Sequence, residues 1–128
     1  MITIEQLKEI QQRADKLKQY LAIDEKRVQL EEEELRTQDP GFWEDAKAAE
    51  AQMRKVKGIK AWIEGYEGVR AATEELQLAF DYCKEELVTE DEVDAAYAHA
   101  IKEVEALEMK NMLSHEEDQM PAVLKIVS

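Results

Sequence analysis

The chain's 128 residues are enough for about one domain, and its 45% apolar content is enough to supply a core. Only four Gly and two Pro are available for turns while charged residues reach 37%, which argues against a sandwich, a barrel or a disordered tail and for a few long helices. Thirty acidic against seventeen basic side chains give a net charge of −13, which opposes broad binding to DNA or RNA and docking on anionic membrane and favours basic protein partners.

The first helix is expected to open at Thr3. Thr3 and Gln6 have the spacing of a capping box, with Ile2 and Leu7 placed as the hydrophobic staple around it. A seam of alternating three- and four-residue steps follows through Leu7, Ile10, Ala14, Leu17, Leu21, Val28 and Leu35, with Asp24 and Glu31 on two of its positions. Ile23 and Leu30 lie off this seam, so the helix either touches a second partner or breaks near Asp24, which is a candidate cap for a restarted helix. The acidic run Glu31–Glu34 reads as a solvated face, with a partner site as the alternative.

Thr37-Gln38-Asp39-Pro40-Gly41 is the clearest break, because proline drives the residue before it out of the helical region. Phe42 and Trp43 follow at once and are expected to plug one end of the bundle, with a binding site as the alternative. A second helix should begin with Asp45 as its cap and carry an apolar stripe from Ala49 and Met53 through Val56, Ile59, Ile63, Tyr66, Val69, Thr73, Leu76, Phe80 and Cys83 to Leu87. Gly58, Gly65 and Gly68 interrupt it, either for close packing or for a bend. The third helix has a start signal in Thr89 and Glu92, with Val88 and Val93 as staple, acids in its first turn, and a seam of Val93, Tyr97, Ala100, Val104 and Leu107. It should fade near Leu113 and Ser114. After Pro121, Ala122–Val127 reads as a strand.

The expected architecture is therefore all-α: an antiparallel, coiled-coil-like bundle of three long helices over residues 1–114, then a linker and the first strand of a following domain over 115–128. The alternative for that strand is pairing between chains, and the oligomeric state is left open.

No residue set carries catalytic or metal chemistry in the sequence. His99 and His115 are the only histidines, Cys83 is a lone cysteine on the apolar stripe, and there is neither a His-Glu-x-x-His pair nor a glycine-rich phosphate loop. A single cysteine forms no internal disulfide, nothing near the start resembles a signal peptide, and no apolar run spans a bilayer, so a cytoplasmic protein without cofactor is expected. One local departure from acidity stands out. Arg54, Lys55, Lys57 and Lys60 crowd a stretch without acids from Ala51 to Ile63, a candidate contact to RNA or an acidic partner, against the plainer reading of charge balance along a helix.

At Asp39-Pro40-Gly41-Phe42-Trp43-Glu44-Asp45 the chain resembles the bacterial peptide chain release factor 2 family, which follows a Leu-rich first helix with an aromatic turn and a long second helix. Tyr20–Arg27 is similar to the family's Tyr-Leu-Asp-x-Asp-x-Lys-Lys stretch, with Ala22 where the family has Asp; Ala106–Glu108 and Met112–Ser114 resemble its exit from the third helix, and Ala122–Ile126 its entry into the next domain. The resemblance implies translation termination at UGA and UAA codons, with peptidyl-tRNA hydrolysis triggered by the intact factor. The family's codon-reading Ser-Pro-Phe and its Gly-Gly-Gln loop do not occur in this sequence. What remains implied is an amino-terminal helical domain that positions the factor on the ribosome at the large-subunit stalk base, near protein L11. The rival reading is a free-standing acidic coiled-coil adaptor that binds a basic protein partner through a helical face.

Overall fold

The computed structural model describes residues 1–127, with side chains described through Ser114. Four helices follow one another: α1 (Ile4–Tyr20), α2 (Ile23–Arg36), α3 (Ala46–Lys84) and α4 (Glu90–Val127), with a one-turn 3-10 helix at Phe42–Glu44 between α2 and α3. The fold is all-α, as expected, but the first expected helix is two.

Local sequence explains each start. The Thr3 box is complete: the Gln6 amide donates to Thr3 Oγ1 at 3.2 Å, and the Thr3 amide donates to Gln6 Oε1 at 2.9 Å. Ile2 and Leu7 are both buried beside it. Asp45 caps α3, its Oδ1 accepting from the amides of Lys47 and Ala48, each at 3.1 Å. Thr89 Oγ1 accepts from the Glu92 amide at 3.2 Å at the head of α4.

α1 ends earlier than its seam. The chain turns at Ala22, which takes a left-handed φ of 49° and caps α2 without a side-chain hydrogen bond. The candidate cap Asp24 thus lies inside α2. Two contacts support the bend: Lys26 Nζ donates to the Leu21 carbonyl, and Ile23 is fully buried in the core. Ile23, off the α1 seam, is what the bend brings inside. Its consequence is that Val28 and Leu35, which continue that seam, are 57% and 58% exposed.

The main core lies where α1, α3 and α4 meet. It joins Leu7, Ile10, Leu17 and Ile23 to Tyr66, Val69, Leu76 and Phe80 and to Val93, Ala100, Val104 and Leu107. Cross-contacts fix the directions. Arg13 grips Glu108 with two hydrogen bonds, of 2.5 and 3.2 Å, and the Met1 amine meets Asp94 at 3.1 Å, so α1 and α4 run parallel. Gln11 pairs with Gln77 at 2.6 Å, and further along the chain Arg27 meets the earlier Glu67, so α3 runs against α1 and α2. Beyond this three-helix unit, α2 packs along the first half of α3 as an antiparallel hairpin.

Two features differ further from the sequence reading. Trp43 does not plug the bundle: it is 63% exposed and meets the half-buried Phe42 edge-on, with ring centroids 4.7 Å apart. The turn sits at the tip of the α2–α3 hairpin, past the reach of the main core. The strand expected over Ala122–Val127 is instead the end of α4. A helix satisfies its own backbone groups, whereas a lone strand has none to pair with. The side chains of 115–127 and all of Ser128, on which the expected linker falls, lie outside the described residues.

Candidate functional site

α3 is 39 residues long, about 58 Å at 1.5 Å per residue. Its second half is core, and its first half carries the four cations singled out from the sequence. The helix spreads them around its circumference. Arg54, Lys57 and Lys60 gather with Glu50 around Met53 and Val56 on one flank of the hairpin, where Met53 is 45% exposed. Lys55 turns toward α2 instead, its Nζ 3.4 Å from Glu33 Oε1.

Most of this charge is engaged within the protein. Lys60 Nζ reaches Glu34 Oε2 at 3.7 Å, and Arg54 pairs with Glu50 one turn back. Lys57 alone of the four forms no ion pair among the described residues. The basic stretch therefore does two things: Lys55 and Lys60 set the register of α3 against α2, while Arg54, Lys57 and the exposed Met53 make a small basic-apolar flank open to solvent.

The centre of the hairpin contact is a residue that the sequence reading left in solvent. Glu33 is 4% exposed, shut off by the side chains that bind it rather than by depth. Gln52 Nε2 donates to its carboxylate at 2.5 Å and to its backbone carbonyl at 3.0 Å. Arg36 and Lys55 lie at 3.8 and 3.4 Å. The Gln52 hydrogen bond, with the two cations behind it, holds the Glu33 carboxyl below its ordinary value despite the opposing effect of burial. Nothing in the run Glu31–Glu34 marks Glu33 out; the signal is the partner set Gln52 and Lys55, visible only once α2 and α3 are laid antiparallel.

Where the hairpin joins the bundle, Arg27 reaches across from α2 to Glu67 of α3, which is also bound by Arg70. The Arg70 hydrogen bond and then Arg27 hold Glu67 below the ordinary carboxylate value. Close by, the half-buried Trp62 ring has Lys110 Nζ 4.5 Å and Lys26 Nζ 5.9 Å from its centroid, tying α3 to α4 and to the α1–α2 bend. His99 is on the surface, 3.9 Å from Glu103, and Cys83 is half-buried against the core. Among the described residues no helix is long and apolar enough to cross a membrane.

Residues 23–128, that is α2 through the end of the chain, match the PCRF domain model. The chain is 30% identical over 98% of its length to peptide chain release factor 2 of Pseudoalteromonas translucida, covering 35% of that protein. It is 29% identical over 92% of its length to peptide chain release factor 2 of Listeria innocua, covering 34%. For peptide chain release factor 2 of Acidithiobacillus ferrooxidans the identity is 32% over 86% of this chain and 31% of the relative. The chain thus spans about a third of the length of the curated relatives it matches. The match begins at the Ala22 bend and takes in the α2–α3 hairpin and α4 whole: the chain belongs to the PCRF-domain family of peptide chain release factors.

Proposed function

We propose that the chain is the amino-terminal helical domain of a release factor acting in translation termination, and that its part is to position the factor on the ribosome. The observation that carries this reading is the PCRF match over residues 23–128. On this reading, UGA and UAA recognition and peptidyl-tRNA hydrolysis belong to later domains, toward which residues 115–128 lead, and the chain contributes no catalytic residue and needs no cofactor. Its place of action is the cytoplasm. Its contact is the large-subunit stalk base, near protein L11, and the Arg54–Met53–Lys57 flank is the portion of the hairpin free to meet phosphate or an acidic surface.

The mechanism is mechanical. One rod, α3, is gripped at one end by α1 and α4 and at the other by α2. A contact made at the hairpin is thereby held at a fixed distance and angle from the bundle. The ion pairs at Glu33 and Glu67 lock α2 against α3 at the two ends of the hairpin.

Competition tests the proposal. The isolated chain in excess should weaken binding of the full-length factor to ribosomes halted at a stop codon. Lys57→Glu, which breaks no ion pair among the described residues, should relieve that competition. Absence of competition even at high excess overturns the positioning role and leaves the adaptor reading.

A further inference from the structure

The outer face of α2 exposes the last two apolar positions of the heptad seam. Leu7, Ala14, Leu21, Val28 and Leu35 recur at intervals of seven residues. The first three are 1%, 5% and 4% exposed, whereas Val28 and Leu35 are 57% and 58% exposed. The left-handed turn at Ala22 rotates the end of the seam off the core, and α2 packs on α3 with Ile23 and Glu33 instead. Two seam positions one heptad apart are therefore left unpartnered on one helix face.

The charges around them are divided in the same way. Glu33 and Glu34 turn toward α3 and are paired with Lys55 and Lys60. Glu25, Glu31 and Glu32 lie one turn from Val28 or Leu35 on the outer side, and among the described residues none of the three forms an ion pair. Asp24 and Glu31 take the alternate seam positions, so each heptad presents one apolar and one acidic position, half of a polar-interrupted coiled-coil interface. The missing half sets apolar residues against Val28 and Leu35 and Lys or Arg against Glu31 and the flanking Glu25 and Glu32.

We propose that this face of α2 is a docking surface for a basic amphipathic helix of another protein. A second copy of the chain does not fit, because apposed α2 faces bring Glu25, Glu31 and Glu32 against their own kind. The inference goes beyond the release-factor reading and does not depend on it.

The test uses the whole chain and a synthetic helix of about four heptads, with Leu at one seam position of each heptad and Lys at the other and on both flanks. Fluorescence anisotropy should show binding that weakens with salt. The pair Val28→Gln with Leu35→Gln, and separately Glu31→Lys with Glu32→Lys, should each reduce affinity by about tenfold or more, a change of roughly 1.4 kcal/mol. Leu87→Gln, an exposed apolar position at the other end of α3, should leave affinity unchanged, and a peptide with Glu in place of Lys should not bind. Because Val28 and Leu35 are exposed, the double Gln variant should keep the parent's unfolding midpoint. Four results overturn the proposal: no binding, equal binding by the double Gln variant, a lowered midpoint showing that the face is internal core in solution, or a sedimenting dimer that the double variant dissolves.

Discussion

Alanine at Gly58 and at Gly65 should have different consequences, although both residues lie inside the same helix. Glycine in a helix interior costs about 1 kcal/mol against alanine. A Cβ at Gly58 meets nothing within 4 Å. Gly58→Ala should therefore recover the whole amount and stabilise the protein by about 1 kcal/mol. At Gly65 the new Cβ lies 3.0 Å from Leu107 Cδ1. Leu107 is 4% exposed and wedged in the core, so its rotamer has little freedom to yield. Restoring ordinary carbon contact requires the Leu107 side chain, or α4 with it, to give by a few tenths of an ångström. Overpacking of this kind costs about 1–3 kcal/mol. The net for Gly65→Ala runs from neutral to about 2 kcal/mol destabilising, leaving the two variants about 1–3 kcal/mol apart. The positions are seven residues, about 10 Å, apart along α3, so the double variant should show the sum within about 0.5 kcal/mol. Urea unfolding followed by circular dichroism measures all three. Equal stabilisation by both substitutions would refute the close approach of α3 and α4 at Gly65, and with it the account of that glycine as a packing residue.

Trp43→Ala should cost less than about 1 kcal/mol, because the ring is 63% exposed; a loss of about 3–5 kcal/mol would place it in a core after all. α3 ends in a Schellman turn, the amides of Glu86 and Leu87 donating to the carbonyls of Cys83 and Tyr82, with Glu86 at a left-handed φ of 64°. Glu86→Gly should raise stability by about 0.5–1 kcal/mol, and a loss would show that its side chain is anchored. Stability should also fall in acid. Glu33, through Gln52, and Glu67, through Arg70, are held below the ordinary value of 4.5, so the unfolded chain takes up protons first. Their contribution is complete above that value and disappears as pH falls through the lowered range. Urea midpoints measured from neutral to acidic pH should show the loss, and Glu33→Gln should flatten it.

What the sequence disclosed was local. Thr3 with Gln6, Asp45, and Thr89 with Glu92 are written within four residues of the helix ends they cap, and the structure uses all three. The α3 and α4 stripes were equally plain, because a regular helix carries its buried face forward by a fixed rotation. The misreadings concern what lies opposite a residue. Phe42 and Trp43 look like core by size alone, but their burial depends on what packs at the tip of the hairpin, which the aromatic pair does not encode. Ala122–Val127 has strand-forming residues, yet a strand is defined by its neighbour. For the candidate site, the crowding of Arg54, Lys55, Lys57 and Lys60 was visible, and their division into internal pairs and an open flank was not. That division follows from α2 lying antiparallel to α3.

A single backbone torsion governs much of this surface. Had α1 and α2 formed one straight helix, the heptad seam would have continued to Leu35, and Val28 would sit over α3 with Ile23 and Glu33 turned outward. With Ala22 in the left-handed region the faces exchange: Ile23 enters the core, Glu33 becomes the clamp on Gln52, and Val28 and Leu35 emerge between carboxylates. Alanine is the smallest side chain that can hold such a turn, at a cost of about 1–2 kcal/mol relative to its preferred conformations. The burial of Ile23 and the clamp at Glu33 offset that cost, so the bend and the hairpin contact stabilise one another. The net charge of −13 therefore understates how specifically the chain presents its acids. Which carboxylates face outward and which hold the hairpin is settled at Ala22, before the acidic run begins.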